Sequence, residues 1–176
     1  NNQELNNAIF SGPFVTLAKA EFSNSQNANV QKWSAYIKGS VDRQAFLERA
    51  FDWVSKGNIT DYMSKHRYDK NINELKNYFS SVLDWVSTVF TDVEDEMRGL
   101  EWGKLYETFH QNAYDPKKIL KQIKNLYGDS YIKNRRGIFE YILGGSKDTK
   151  LLNVRIFDEA IKKSVYSKQT IDAKKK

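Results

Sequence analysis

Apolar positions recur along this chain at helical spacing, and that spacing predicts most of its elements. The clearest case is Ile72 to Phe90, where Ile72, Leu75, Phe79, Val82, Leu83, Val86 and Phe90 track a period of 3.6. A second helix is predicted over Asp42 to Lys56. There Phe46, Leu47, Ala50, Phe51 and Val54 fall on one face and Gly57 stands at the expected C-terminal stop. Asp115-Pro116 is an N-cap followed by proline at the first helical position. It opens a helix to Tyr127 with Ile119, Leu120, Ile123 and Leu126 inward, and Gly128 ends it.

Shorter patterns fill the remainder. Leu5, Ala8 and Ile9 form a brief helical pattern that Gly12-Pro13 stops, and Phe14 to Phe22 reads as a helix with Leu17 and Ala18 inward. Ser23 to Asn29 lacks periodicity and reads as a loop. Ile59 to Lys65 is a short helix or turn, Trp102 to His110 a short helix, and Phe157 to Lys168 a helix with Phe157, Ile161 and Val165 on one face. Ile138 to Leu143 is ambiguous, being short, β-tolerant and closed by Gly144-Gly145. The sum is an all-α fold of about seven helices, with a short strand pair near residues 130–156 as the local alternative.

Composition narrows the class. Aromatics make up 14% of 176 residues, against two prolines and nine glycines, which argues for a real core of long helices and against disorder. There is no cysteine, so neither a disulfide framework nor a thiolate metal site is available, and a reducing cytoplasm suits the chain. No apolar run reaches the roughly 18 residues of a membrane span. A start at Asn1 and an end on Lys174, Lys175 and Lys176 read as the ends of a piece of a larger protein.

Charge divides the chain. Residues 1–116 carry 12 Lys and Arg against 16 Asp and Glu, a net of −4; residues 117–176 carry 16 against 6, a net of +10. These are an acidic helical core region and a basic helical region, expected to share one compact domain. A basic third points to a polyanionic partner or to the next part of a longer protein. Lys117, Lys121 and Lys124 stack at i, i+4 and i+7 on one helix face, with Tyr127 and Tyr131 interleaved beyond them. With Lys133, Arg135, Arg136, Arg155 and Lys162 they form the candidate nucleic-acid-binding set, since phosphate contact needs repeated cations without exact geometry. The alternative is a solvated face.

Catalytic constellations are weaker. Asp69, Glu74 and Lys76 resemble an acidic-acidic-lysine nuclease site, but Glu74 and Lys76 lie two apart on a helix and so face different ways. Asp92, Glu94, Asp95 and Glu96 read as a solvated acidic turn rather than a cation loop. His66 and His110 lack the spacing of a zinc site, and His110 suits a helix C-terminus. Gly144-Gly145-Ser146-Lys147 reads as a turn, because a phosphate loop's first glycine is missing and Ser precedes Lys. No residue is assigned a catalytic or metal-binding role.

Several stretches together resemble one bacterial family: restriction proteins with an N-terminal GmrSD-type (ParB-like) domain and a C-terminal HNH nuclease. The matching pieces begin with Gln3-Glu4-Leu5-Asn6-Asn7-Ala8-Ile9-Phe10-Ser11-Gly12-Pro13-Phe14 and Asp61-Tyr62-Met63-Ser64-Lys65-His66. They continue with Asn73-Glu74-Leu75, Tyr78-Phe79 and Trp102-Gly103-Lys104-Leu105-Tyr106. Finally, Leu152-Asn153-Val154-Arg155-Ile156-Phe157, Lys162 and Tyr166-Ser167-Lys168-Gln169 look like the helix leading into an HNH module. The family's nucleotide-handling Asp-Gly-Gln-Gln-Arg motif and the nuclease's Cys pairs and His cluster do not occur in this chain, so no catalytic residue carries over. The resemblance implies an inactive helical connecting region of a phage-defence DNA endonuclease. It would position the catalytic modules, contact DNA and the flanking domains, and leave nucleotide and divalent metal to the parent protein. The alternative from another class is a helical dimerisation or partner-docking module without nucleic-acid contact.

Overall fold

The computed structural model describes residues 11–41 and 44–154. The expected helices over Leu5–Ile9 and Phe157–Lys168 lie outside them, as do Arg155 and Lys162. The described residues form eight α-helices: α1 (Pro13–Phe22), α2 (Ala28–Trp33), α3 (Ala45–Ser55), α4 (Ile59–His66), α5 (Asn73–Val89), α6 (Trp102–Phe109), α7 (Pro116–Gly128) and α8 (Gly137–Leu143). Short 3-10 turns occupy Asp95–Met97 and Thr149–Leu152. The fold is all-α. No described helix is long and apolar enough to cross a membrane.

The long helix α5 organises the core. Leu75, Phe79, Val82, Leu83 and Val86 are each fully buried, and α5 packs against α3, α6 and α7. Burying each such side chain contributes about 1.5–3 kcal/mol. Aromatic rings carry much of the packing. Phe79 meets Trp33, Trp53 and Phe22 at centroid distances of 4.8, 5.1 and 5.3 Å. At the other end, Phe139 of α8 meets Phe90 edge-on at 5.4 Å and Trp102 at 6.2 Å. Trp102 donates its indole N–H to the Met97 carbonyl at 3.0 Å, which satisfies a buried polar group. Gly103 allows α6 to approach α3, since a Cβ there would run into the Trp53 ring.

Local signals account for most boundaries. Pro13 begins α1. The Asp115 carboxylate accepts the Lys117 and Lys118 backbone N–H groups at 3.0 and 3.3 Å, and Pro116 takes the first helical position of α7. Lys56 at φ 54° and Gly57, whose N–H reaches the Asp52 carbonyl at 2.9 Å, close α3.

Three expectations need correction. Leu17 is 39% exposed, while Phe14, Val15, Ala18 and Phe22 point inward; these four fall at i, i+1, i+4 and i+8 on one face, and Leu17 lies outside it. The loop after α1 ends at Asn27, whose side chain caps α2 through the Asn29 N–H at 2.9 Å, so Ala28 and Asn29 are helical. Over residues 130–154 the alternative strand pair shrinks to one antiparallel bridge, Ile132 with Val154, and Ile138 to Leu143 lies within α8.

Candidate nucleic-acid interface

The amphipathic character of α7 positions the lysine row. Ile119 and Ile123 are buried, with Leu126 and Tyr127 packed beside them against the core. At 100° per residue, Lys117, Lys121 and Lys124 then fall on the opposite side, and all three are exposed. No described carboxylate pairs with these three ammonium groups, whereas Lys118 lies 3.8 Å from Asp115. Among the described residues the row is therefore uncompensated positive charge on an exposed face.

The other described members of the candidate set are spent differently. Arg135 stacks over the Tyr127 ring at 5.1 Å and sits 4.0 Å from the Glu96 carboxylate, which also accepts the Tyr127 hydroxyl at 2.8 Å. Burial, the Glu96 hydrogen bond and its negative charge push the Tyr127 phenol well above its ordinary value. Arg135 is thus partly neutralised, but it lies next to the C-terminal end of the row. Arg136 donates to the Arg98 carbonyl at 3.0 Å and the Gly99 carbonyl at 2.9 Å, tying the start of α8 to the segment after the 3-10 turn. Lys133 turns back to the Ser130 carbonyl at 3.2 Å. The exposed Tyr131 lies within this turn, in the loop between α7 and α8.

The acidic turn is divided by role. Glu96 serves Tyr127 and Arg135, while Asp95 faces a cleft of about 540 Å³ lined by Lys38, Gly39, Ser40, Arg98 and Arg136. Lys38 and Arg98 belong to the acidic two-thirds of the chain, where a reading by charge balance does not look for cations. Their visible signal is the repeated pairing of a basic residue with glycine, Lys38-Gly39 and Arg98-Gly99.

The residues with nuclease-like spacing go to separate partners. Asp69 pairs with His66 Nδ1 at 2.7 Å, Lys76 pairs with Glu21 at 2.8 Å, and Glu74 is exposed. His66 is buried, its ring tilted against Tyr62 at 4.3 Å and Phe14 at 5.6 Å. His110 caps α6, with Nδ1 2.6 Å from the Tyr106 carbonyl and its ring 4.3 Å from the Tyr106 ring. In Gly144-Gly145-Ser146 the backbone N–H groups bond to the carbonyls of Glu140, Ile142 and Tyr141. They close α8 and leave no cradle for a phosphate.

A further cleft of about 520 Å³ between α3 and α6 is floored by Trp53 and Gly103 and edged by Asp52, Lys56, Glu101, Lys104 and Glu107. Its charges are largely paired. Lys56 meets Glu107 at 2.8 Å and Arg49 meets Glu101 at 2.8 Å. The Trp53 Nε1 has no hydrogen-bond partner among the described residues, but the atom is sealed from solvent and does not open into the cleft. No protein-family model, no curated protein and no solved structure matches this chain.

Proposed function

We propose that this chain is a non-catalytic helical module of a restriction-type, HNH-containing DNA endonuclease, and that α7 lays its lysine face along the nucleic-acid backbone. The motif resemblance supports the parent. One observation carries the contact: Lys117, Lys121 and Lys124 project from a helix whose other face is anchored in the core, and no described carboxylate neutralises them. A row of ammonium groups on an anchored helix suits a polyphosphate strand, where cations displace condensed counterions without reading bases. A cytoplasmic setting accompanies this reading, and a chain without cysteine loses nothing there. The docking alternative calls for an exposed aromatic patch. Trp33, Trp53 and Trp102 are buried, and Trp85 is half-buried against Tyr106 and Tyr114, while Tyr68 and Tyr131 are exposed; none of the tryptophans supplies such a patch, which weighs toward the polyanion.

The test is retardation of a short duplex at about 50 mM salt, repeated at rising salt. Binding is expected to be weak and sequence-independent, with a slope of log affinity against log salt of about −0.9 per phosphate neutralised. Replacing Lys121→Glu and Lys124→Glu together should weaken binding and flatten the slope by about two, with helicity unchanged because Glu and Lys are equally good helix formers. Failure of the unaltered chain to retard duplex or single strand at that salt would overturn the backbone contact.

A further inference from the structure

Away from the lysine row, three chain segments bring cations into one cleft. Lys38 comes from the loop after α2, Arg98 from the end of the 3-10 turn and Arg136 from the start of α8; together with Gly39, Ser40 and Asp95 they line an open, solvent-facing cleft of about 540 Å³. The segments are knitted by hydrogen bonds to their backbone carbonyls. The Gly99 N–H donates to the Tyr36 carbonyl at 2.7 Å, Arg98 Nε to the Ile37 carbonyl at 3.1 Å, and Arg136 to the carbonyls of Arg98 and Gly99. Gly99 sits at φ 78°, where a Cβ would meet the Lys38 side chain at 2.6 Å, so glycine is what lets the two loops lie together.

The anchoring fixes the guanidinium planes without exhausting them. Arg98 has used one of its five N–H donors and Arg136 two. Neither arginine, nor Lys38, forms an ion pair with a described carboxylate, and among the described residues lining the cleft the three cations outnumber the single carboxylate, Asp95, by two. Rigidly held guanidinium forks flanked by an ammonium group match the oxygens of a tetrahedral dianion better than a planar or apolar ligand.

We propose that this cleft is a phosphoryl-binding site, separate from the α7 row, that seats one phosphoryl group, free or at the end of a longer phosphate such as pyrophosphate, between Arg98, Arg136 and Lys38. The phosphate can arrive free, as a small phosphorylated ligand, or as the terminal phosphate of a nucleic-acid strand. The chemistry is the same and the experiment separates the sources.

The test uses the full chain at about 20 mM salt, titrated with pyrophosphate and followed by amide chemical shifts. Shifts are expected at Gly39, Ser40, Asp95 and Gly99. Lys38 is exposed and its ammonium carries no fold contact, so Lys38→Glu should keep the fold and weaken binding about fivefold or more. Asp95→Asn removes the lone opposing charge and should tighten binding severalfold, a gain that damage to the fold cannot produce. The double Lys121→Glu, Lys124→Glu variant should bind pyrophosphate as the unaltered chain does, so failure of the α7 reading leaves this one standing. A 5′-phosphorylated oligonucleotide that competes with pyrophosphate, where its 5′-hydroxyl counterpart does not, assigns the site to strand ends; pyrophosphate binding without that competition assigns it to a small ligand. The proposal is overturned if pyrophosphate moves none of the four amides, or if Lys38→Glu and Asp95→Asn leave its affinity unchanged.

Discussion

At the scale of single residues, charge does its structural work in isolated, partly shielded pairs. Glu107 accepts from Lys56 at 2.8 Å and from the Tyr78 hydroxyl at 2.6 Å, and these two hydrogen bonds hold its carboxyl below the ordinary value. Burial works to raise Glu21, but Lys76, Asn27 and Asn29 overcome it, and the net direction is again down. A carboxylate whose folded value is depressed contributes stability that is present above its unfolded value and is lost as pH falls through the folded one. Acidification from neutral pH through the carboxylate range should therefore destabilise the chain. Glu107→Gln should flatten part of that acid slope in denaturant melts taken between pH 7 and pH 3. At neutral pH it should cost less than about 1 kcal/mol, because the pair is partly exposed and screened. An acid slope identical to that of the unaltered chain would mean that the Lys56 pair does not form in solution. None of these partners is legible in the sequence. Lys56 and Glu107, or Arg136 and the Gly99 carbonyl, are far apart along the chain, and only the packing of α3, α6 and α8 makes them neighbours. The same limit explains why Arg135 and Arg136, adjacent in sequence and equal in charge, serve one a tyrosine ring and the other a pair of carbonyls.

At the scale of elements, legibility follows amphipathicity. Helix α5 has one buried face and one wet face over 17 residues, and its pattern predicts its extent to within a residue at each end. Helix α7 is equally readable because cap, proline and periodicity agree. Helix α8 is not. Gly137, Ile138, Phe139, Ile142 and Leu143 are all buried in a helix of seven residues, so little polar face remains to reveal a period. Helix α2 is shorter still and is set by the Asn27 cap rather than by hydrophobic spacing. The sharpest element-level expectation concerns α5. Val82 has no exposed surface, and Val82→Asp places a carboxylate in the core with no partner, at a cost of several kcal/mol against a total stability of roughly 5–15 kcal/mol. The variant should lose its cooperative thermal transition, whereas Asp84→Ala on the exposed face of the same helix should leave the melting temperature within a few degrees. A Val82→Asp protein that melts like the unaltered chain would place the buried face of α5 elsewhere.

At the scale of the whole molecule, the charge boundary near residue 116 is not a boundary in the packing. The net charge changes sign there, yet buried residues on both sides belong to one hydrophobic cluster. Phe139 closes over Phe90 and Trp102, Ile119 and Ile123 bury against the core, and the Tyr114 hydroxyl donates to the Leu143 carbonyl at 3.1 Å. Charge governs what the surface meets, while apolar area governs what folds together, and here the two partition the chain differently. A chain ending at Pro116 keeps every acidic residue of the first region but uncovers Trp102, Phe90 and the flank of α5. Loss of the buried side chains of α7 and α8, at about 1.5–3 kcal/mol each, exceeds the usual net stability of a domain of this size. Residues 1–116 alone should therefore show exposed apolar surface by dye binding and a broad, non-cooperative melt, and added salt should not restore the fold, since what is missing is apolar contact and not charge balance. Residues 117–176 alone should be largely unfolded for the same reason, yet they should still bind duplex weakly through their lysines, as an unfolded cationic chain does. A sharp melt from the truncated chain, with a tryptophan spectrum matching that of the full chain, would show instead that the acidic region folds by itself and carries the basic helices as an appendage.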